Sequence, residues 1–288
     1  MTLAAVLRLG RVSNLPTVWT NALAGVALAG ATPWQWATLP AALGLSLAYV
    51  GGMCLNDAFD RALDARERPA RPIPSGEVDA NTAFALGFLL LLGAVAMLLA
   101  AASGFGVPPA RAVLAGLALG GAVIGYNWHH KGNPLSPLAM GACRLLAYVA
   151  AGLAAAAALP GALLAAAVVS LCYLIGLTYV AKREMAGRLG AMWPLLFLAA
   201  PLAYGALLAD GAAGRLMLAA LAAWIGAALW LLRRRRPGDI PRAVVSLIAG
   251  IALLDAMFLA AARHPGAVPL ACACFAATLA MQRWISGT

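Results

Sequence analysis

Long apolar runs broken by short charged segments constrain this chain more than any other feature. Ten such runs, at 15–31, 37–56, 80–103, 110–128, 135–158, 160–181, 191–210, 213–232, 241–262 and 266–285, each hold about 17–25 residues. That is the length a helix needs to cross about 30 Å of hydrocarbon. The runs do not alternate apolar with polar residues, so they do not read as strands of a transmembrane barrel. Charged residues make up 10% of the 288 positions and hydrophobic residues 64%, against about 25% and under half in a soluble domain. The expected fold is all-α, a polytopic transmembrane helix bundle of nine or ten spans forming one integral membrane domain over 1–288. Arg8 and Arg11 precede the first run as in a signal peptide, but nine further runs follow, so it reads as an uncleaved helix.

The net charge of +10 raises the question of nucleic acid. The basic residues, however, sit in the loops. With the N-terminus inside, sixteen Lys and Arg fall on the cytoplasmic side: Arg8, Arg11, Arg61, Arg66, Arg68, Arg71, Lys131, Lys182, Arg183, Arg188, Arg233 to Arg236, Arg242 and Arg283. Only Arg111, Arg215 and Arg263 fall outside, and Arg144 lies within a run. This asymmetry is the positive-inside rule rather than a nucleic-acid footprint. It places the N-terminus and the 57–79 segment at the cytoplasmic face, in a bacterial setting that of the cell inner membrane. The five cysteines form no CxxC pair, so neither a disulfide framework nor a zinc site is implied. Gly116/Gly120 and Gly121/Gly125 give the small-xxx-small spacing of tight helix contacts.

The second run closes on Asn56-Asp57-Ala58-Phe59-Asp60-Arg61-Ala62-Leu63-Asp64. At 100° per residue the three carboxylates project within one narrow arc of a helix, and Val50 and Met53 continue that face into the membrane. Ion pairs at (i, i+4), Asp57–Arg61 and Asp64–Arg68, would explain part of the pattern. They leave Asp60 facing Asp64 as a like-charge pair. A divalent cation bound by Asp57, Asp60 and Asp64 explains all three, and oxygen ligands without His or Cys point to Mg²⁺, which commonly bridges carboxylates to phosphate oxygens. The next segment, Arg68-Pro69-Ala70-Arg71-Pro72-Ile73-Pro74-Ser75-Gly76, carries three prolines that predict a stiff, extended loop. Its Arg68 and Arg71 suit a polyanion held by metal and arginine together.

The run NDAFDRALDARERPARPIPSGEV resembles the first aspartate motif of the UbiA superfamily of intramembrane prenyltransferases, NDxxDxxxD followed by RPxRPIPSG, with both halves matched without a gap. RLGRVSNLPTVWTNALAG resembles that family's opening helix, and the GACRLLAYVAAG and AKREMAG stretches are similar to an EboC-like branch. The resemblance implies a helical bundle around a lipid-open central cavity. Mg²⁺ on Asp57, Asp60 and Asp64 would hold an isoprenyl diphosphate, whose tail runs into the apolar interior. It further implies diphosphate contacts from Asn56, Arg68, Arg71, Lys131 and Arg144, and transfer of the isoprenyl group to a second, unidentified acceptor. The family's second acidic motif, roughly DxxxD, is reduced in the 177–187 stretch to Glu184 beside Lys182 and Arg183. Lys182 and Glu184 are therefore expected to meet the diphosphate in its place. The same degeneracy supports an alternative, a carrier or transporter that binds isoprenoid lipid without turnover.

The remaining polar residues carry less direct readings. Arg144 either faces the cavity or snorkels to the headgroups. Tyr126 and Asn127 read as interface anchors. His129 and His130 diverge by 100° on a helix and so cannot form a metal pair. Asp255 is the one acid deep in the ninth run; bundle hydrogen bonding, an arginine partner or the acceptor would each account for it.

Overall fold

The structure, a computed structural model, describes residues 2–186 and 192–285, with 183–186 described in backbone only. Among the described residues it holds helices and no strand. The helices are α1 (Leu3–Leu9), α2 (Leu15–Leu28), α3 (Thr38–Glu67), α4 (Ala80–Phe105), α5 (Pro109–His129), α6 (Ser136–Ala155), α7 (Gly161–Ala186), α8 (Ala200–Leu208), α9 (Gly211–Arg234), α10 (Asp239–Ala261) and α11 (Val268–Met281).

Each apolar run contains a helix, but they are not equivalent. Seven of the helices are long and apolar enough to cross a membrane, namely α3 to α7 together with α9 and α10, α7 being counted to Lys182. The segments Trp193–Leu208 and Pro265–Met281 are shorter apolar helices, and α2 has 14 residues, about 21 Å at 1.5 Å per residue. The expected nine or ten full spans therefore divide into seven long helices and shorter ones packed among them. α2 does not need spanning length because it is enclosed: nearly every residue from Pro16 to Leu28 is buried, against α3, α6, α10 and α11. α10 is similarly central, with 78% of its apolar window buried, whereas α4, α5 and α9 bury 28% and leave their apolar faces outward.

The helix ends gather at two ends of the bundle. Arg111, in the first turn of α5, donates to the carbonyl of Ala157, after α6, so the start of α5 and the end of α6 meet. At the opposite end, residues from the N-terminal segment, the end of α3, the α5–α6 turn and α7 converge. Sequence chemistry sets the boundaries locally. The Asp79 carboxylate caps α4 by accepting from Thr82 N at 2.9 Å, and α3 stops at Arg68, immediately before Pro69.

Close approach in this bundle comes from glycines other than those the spacing singled out. A Cβ on Gly51 would stand 2.8 Å from the Gly87 carbonyl on α4, so α3 and α4 meet backbone to backbone there. Of the α5 glycines, Gly116 packs against Leu98 and Val95, while Gly120, Gly121 and Gly125 have nothing within 4 Å. Small-residue spacing marks where helices could approach, but the partner helix decides where they do.

Candidate functional site

α3 is 30 residues long, about 45 Å, half as long again as the hydrocarbon layer. Its last turns therefore extend beyond hydrocarbon depth and can carry charge. Asp57, Asp60 and Asp64 lie there, yet they are 3%, 6% and 2% exposed, covered by neighbouring segments rather than by water. Buried carboxylates require partners, and each has them.

The partners are not the (i, i+4) arginines. Arg61 donates to the Ala58 carbonyl instead. Asp57 Oδ1 accepts from Arg11 Nη2 at 3.0 Å and from Arg71 Nη1 at 3.2 Å. The same Arg71 Nη1 lies 2.6 Å from Asp64 Oδ2. Asp60, rather than facing Asp64, turns to the end of α5, with Lys131 Nζ at 3.0 Å and His130 Nε2 at 3.3 Å from its Oδ2. Three carboxylates thus meet three basic side chains, Arg11, Arg71 and Lys131, so each carboxylate has an ion-pair partner within the protein.

The loop after α3 produces this arrangement, though not in the extended form expected. Residues 69–77 fold as successive turns, with Arg71 N bonded to Arg68 O, Ser75 N to Arg71 O and Val78 N to Pro72 O. A proline φ near −65° serves a turn as readily as an extended chain, and burial of Ile73 and Val78 against Ala5, Leu9 and Ala58 favours the compact form. The fold-back carries Arg71 over the carboxylates. Arg8 pairs with Glu77 and ties α1 to the same loop.

Asn56 is held from behind. Its Nδ2 donates to Asn127 Oδ1 at 3.0 Å, and Asn127 Nδ2 donates to the Gly52 carbonyl at 3.0 Å. Asn127, expected as an interface anchor, is instead a buried strut between α3 and α5. Tyr126 stacks on His130 with ring centroids 4.8 Å apart and so packs the imidazole that faces Asp60.

The cluster opens onto a cavity of about 450 Å³. Along α3 the lining residues are Leu45, Ala48, Tyr49, Gly52, Met53, Asn56, Asp60, Leu63 and Glu67, a 3–4 residue repeat that makes one continuous face. Met53 lies on it as expected; Val50 packs instead beside α1. Leu119, Val123, Met140, Leu174, Leu177, Ile248 and Ile251 close the apolar part, and Arg68, Arg71, Lys131 and Lys182 line the charged part. Lys182 reaches the cavity from α7 and donates to Asn133 O at 2.9 Å and Ser136 Oγ at 2.7 Å. The Glu184 side chain lies outside the described residues.

One expected site residue, Arg144, stands differently. Arg144 makes no ion pair with the three carboxylates; it donates to the Thr17 carbonyl at 2.6 Å and faces Asp255 at 3.6 Å. It neither snorkels nor joins the rim. Among the described residues, no three His, Cys, Asp or Glu side chains close into a group that could hold a metal by themselves. The donor chemistry still fits Mg²⁺. Asp57 and Asp64 already converge on one cationic nitrogen, and Mg²⁺ is usually bound by one or two carboxylates completed by substrate phosphates and water.

Sequence reasoning missed Arg11 and undervalued His130. Arg11 adopts a left-handed backbone (φ 43°) at the head of a 3-10 turn running from Val12 to Asn14. That conformation is unfavourable for a residue with a side chain, and nothing in a single sequence announces it. His130 could have been found by setting its distance from α3 aside and asking which basic groups end the next cytoplasmic helix.

Fold and site together define a helical integral membrane protein with an ion-paired acid–base cluster above an apolar cavity. The profile of the UbiA prenyltransferase family matches residues 16–251, and the chain belongs to that family. It is 35% identical over 134 residues to digeranylgeranylglyceryl phosphate synthase of Methanopyrus kandleri, covering 46% of this chain and 45% of that protein. It is also 32% identical over 120 residues to the chloroplastic chlorophyll synthase of Avena sativa, covering 38% and 30%. These matches span under half of the relatives' own length. A solved structure from work on digeranylgeranylglyceryl phosphate synthase in membranes superposes with a TM-score of 0.64 at 18% identity, covering 90% of this chain and 98% of that one. At that identity the likeness establishes the fold.

Proposed function

We propose that this protein transfers an isoprenyl group from an isoprenyl diphosphate to a second, unidentified acceptor, with Mg²⁺, at the cytoplasmic face of the membrane. The observation that carries this reading is the placement of a buried carboxylate–arginine–lysine cluster at the charged end of an apolar cavity. A diphosphate with a hydrocarbon tail has the same division into a compact polyanion and an apolar chain.

The residues divide the work. Asp57 and Asp64, with Asp60 about one turn away, would hold Mg²⁺ together with diphosphate oxygens. Bound there, the ion would stabilise negative charge developing on the departing diphosphate. Arg71, released from the carboxylates by that exchange, would turn to the phosphates alongside Arg11 and Arg68. Lys131 and Lys182 close the far side, and Glu184 follows Lys182 by about half a turn of the same helix. Asn127 fixes the Asn56 amide so that its donors are pre-oriented rather than ordered on binding. The apolar wall formed by Leu119, Val123, Leu174, Leu177 and Ile251 excludes water, which an allylic carbocation requires if the acceptor is to capture it.

The test is binding of farnesyl diphosphate to the purified protein in lipid nanodiscs, with Mg²⁺ or with EDTA, for wild type and for Asp57→Ala, Asp60→Ala and Asp64→Ala. Mg²⁺-dependent binding weakened at least tenfold by each substitution is the expected result. Binding insensitive to Mg²⁺ and to all three substitutions refutes the assignment.

A further inference from the structure

Two lining residues of the cavity, Asn21 and Arg144, stand apart from the carboxylate cluster, and Arg144 is backed by a buried acid behind the lining. Asp255 on α10 is fully buried. Its Oδ2 accepts from Thr20 Oγ1 at 2.5 Å, its Oδ1 accepts from the Tyr148 hydroxyl, and Arg144 Nη2 stands 3.6 Å away. Arg144 also lines the cavity, and its Nε has no hydrogen-bond partner. Also lining the cavity is Asn21 of α2, one turn beyond Thr17, whose carbonyl accepts from Arg144. Asn21 is completely buried, and neither its Nδ2 nor its Oδ1 has a partner.

An unpaired buried amide is destabilising, and a leucine of similar size would remove the penalty. The other buried asparagines on this cavity satisfy both ends of their amides within the protein, Asn14 with Tyr49 and Gln282, Asn56 with Asn127 and Arg11, and Asn127 with Asn56 and the Gly52 carbonyl. Asn21 is therefore different: it is a lining residue whose amide keeps an unpartnered donor and an unpartnered acceptor, and Arg144, on the same lining, keeps an unpartnered Nε–H. A hydroxyl group answers both, donating to Asn21 Oδ1 while accepting from Asn21 Nδ2 or Arg144 Nε.

Charge narrows the ligand further. Asp255 is the counter-ion of Arg144, so the buried pair is already neutral. A carboxylate or phosphate placed against it would add an uncompensated negative charge in an apolar interior. We propose that Asn21 and Arg144 seat the polar head of the second substrate, and that this head is a neutral hydroxyl or carbonyl group rather than a carboxylate or phosphate. The inference rests on the prenyl-transfer reading only for the word substrate; the seat itself is tested independently of the diphosphate.

The probes are 4-phenylphenol and 4-phenylbenzoate, equal in shape and different in charge. Their binding to nanodisc-embedded protein is measured by calorimetry, with empty nanodiscs subtracting partition into lipid. Farnesyl diphosphate with Mg²⁺ is titrated separately on the same samples. Wild type is expected to prefer the phenol at least tenfold. Asn21→Leu should lose about tenfold or more in phenol affinity with no fall in thermal midpoint, since it removes an unpaired polar group. Asp255→Asn, which leaves Arg144 without its counter-charge, should shift preference toward the benzoate. Should Asn21→Leu fail to accumulate, Asn21→Ala removes the same donor–acceptor pair with less bulk. Preference of wild type for the benzoate, or unchanged phenol binding by the Asn21 variants, overturns the proposal. Wild type that binds the phenol but not farnesyl diphosphate would sustain the seat and refute prenyl transfer.

Discussion

Arg71 is the point at which protein and metal compete, and replacing it separates the two. Its Nη1 lies between Asp57 and Asp64, whose side chains are 4% and 3% exposed, and it is itself 16% exposed. Among the described residues Asp64 has no other ion pair, while Asp57 keeps Arg11. Breaking a fully buried pair by removing one partner costs about 3–5 kcal/mol. The partial exposure of Arg71 and the remaining Arg11 reduce this to roughly 2–3 kcal/mol for Arg71→Leu. At about 2–4 °C per kcal/mol for a chain of this size, the thermal midpoint in EDTA should fall by roughly 5–10 °C. Mg²⁺ should then restore stability, because it can neutralise the abandoned carboxylates. At one hundred times its dissociation constant a ligand adds about 2.7 kcal/mol, enough to offset most of the loss. In wild type the ion must first displace Arg71, so its stabilising effect should be smaller and its midpoint concentration higher. The assay is a thermal unfolding series in detergent across Mg²⁺ concentrations, with KCl holding ionic strength constant. An Arg71→Leu protein as stable as wild type in EDTA, or an identical Mg²⁺ response in the two proteins, refutes the view that Arg71 holds the place of the cation.

Asn127→Leu should break both buried amide bonds between α3 and α5 and leave the Asn56 donor group unpaired, a cost of about 2–4 kcal/mol by hydrogen-bond and desolvation magnitudes; a midpoint within 2 °C of wild type, or roughly that, would show that the strut carries no weight. Gly51→Val places a side chain where its Cβ would meet the Gly87 carbonyl at 2.8 Å; it should destabilise the α3–α4 contact by about 1–3 kcal/mol or more, whereas Gly120→Val, with nothing within 4 Å, should not, and equal effects on thermal midpoint would contradict the packing described.

Much of this protein is legible in one dimension because a membrane makes unusually strict demands. Hydrocarbon requires each segment to satisfy its own backbone and to be apolar for about 20 residues, and the seven long helices fall where the runs predict them. The motif from Asn56 to Gly76 is local, so its presence and its place at the end of α3 follow from the residues alone. Asp57, Asp60 and Asp64 are all buried there, Asp57 and Asp64 sharing Arg71 while Asp60 turns to His130 and Lys131.

What each carboxylate touches was decided elsewhere. Arg11 reaches Asp57 across 46 positions, and Lys131 reaches Asp60 across a helix pair. Those contacts depend on which helix ends share one side of the bundle and on two backbone events, the left-handed Arg11 and the folded-back proline loop. Likewise, Asp255 has three possible explanations in the sequence, and the bundle shows two of them together: hydrogen bonds from Thr20 and Tyr148 and an arginine partner, Arg144, supplied by α2 and α6. Hydropathy and motif are properties of neighbours in the chain, so the sequence by itself determined where the apolar helices fall, the acidic motif and the family resemblance, while the structure decided which of those helices reach spanning length. Ion pairing in a dry interior is a property of neighbours in space, so only the tertiary structure decided which cations hold the aspartates, and which amide is left open to a ligand.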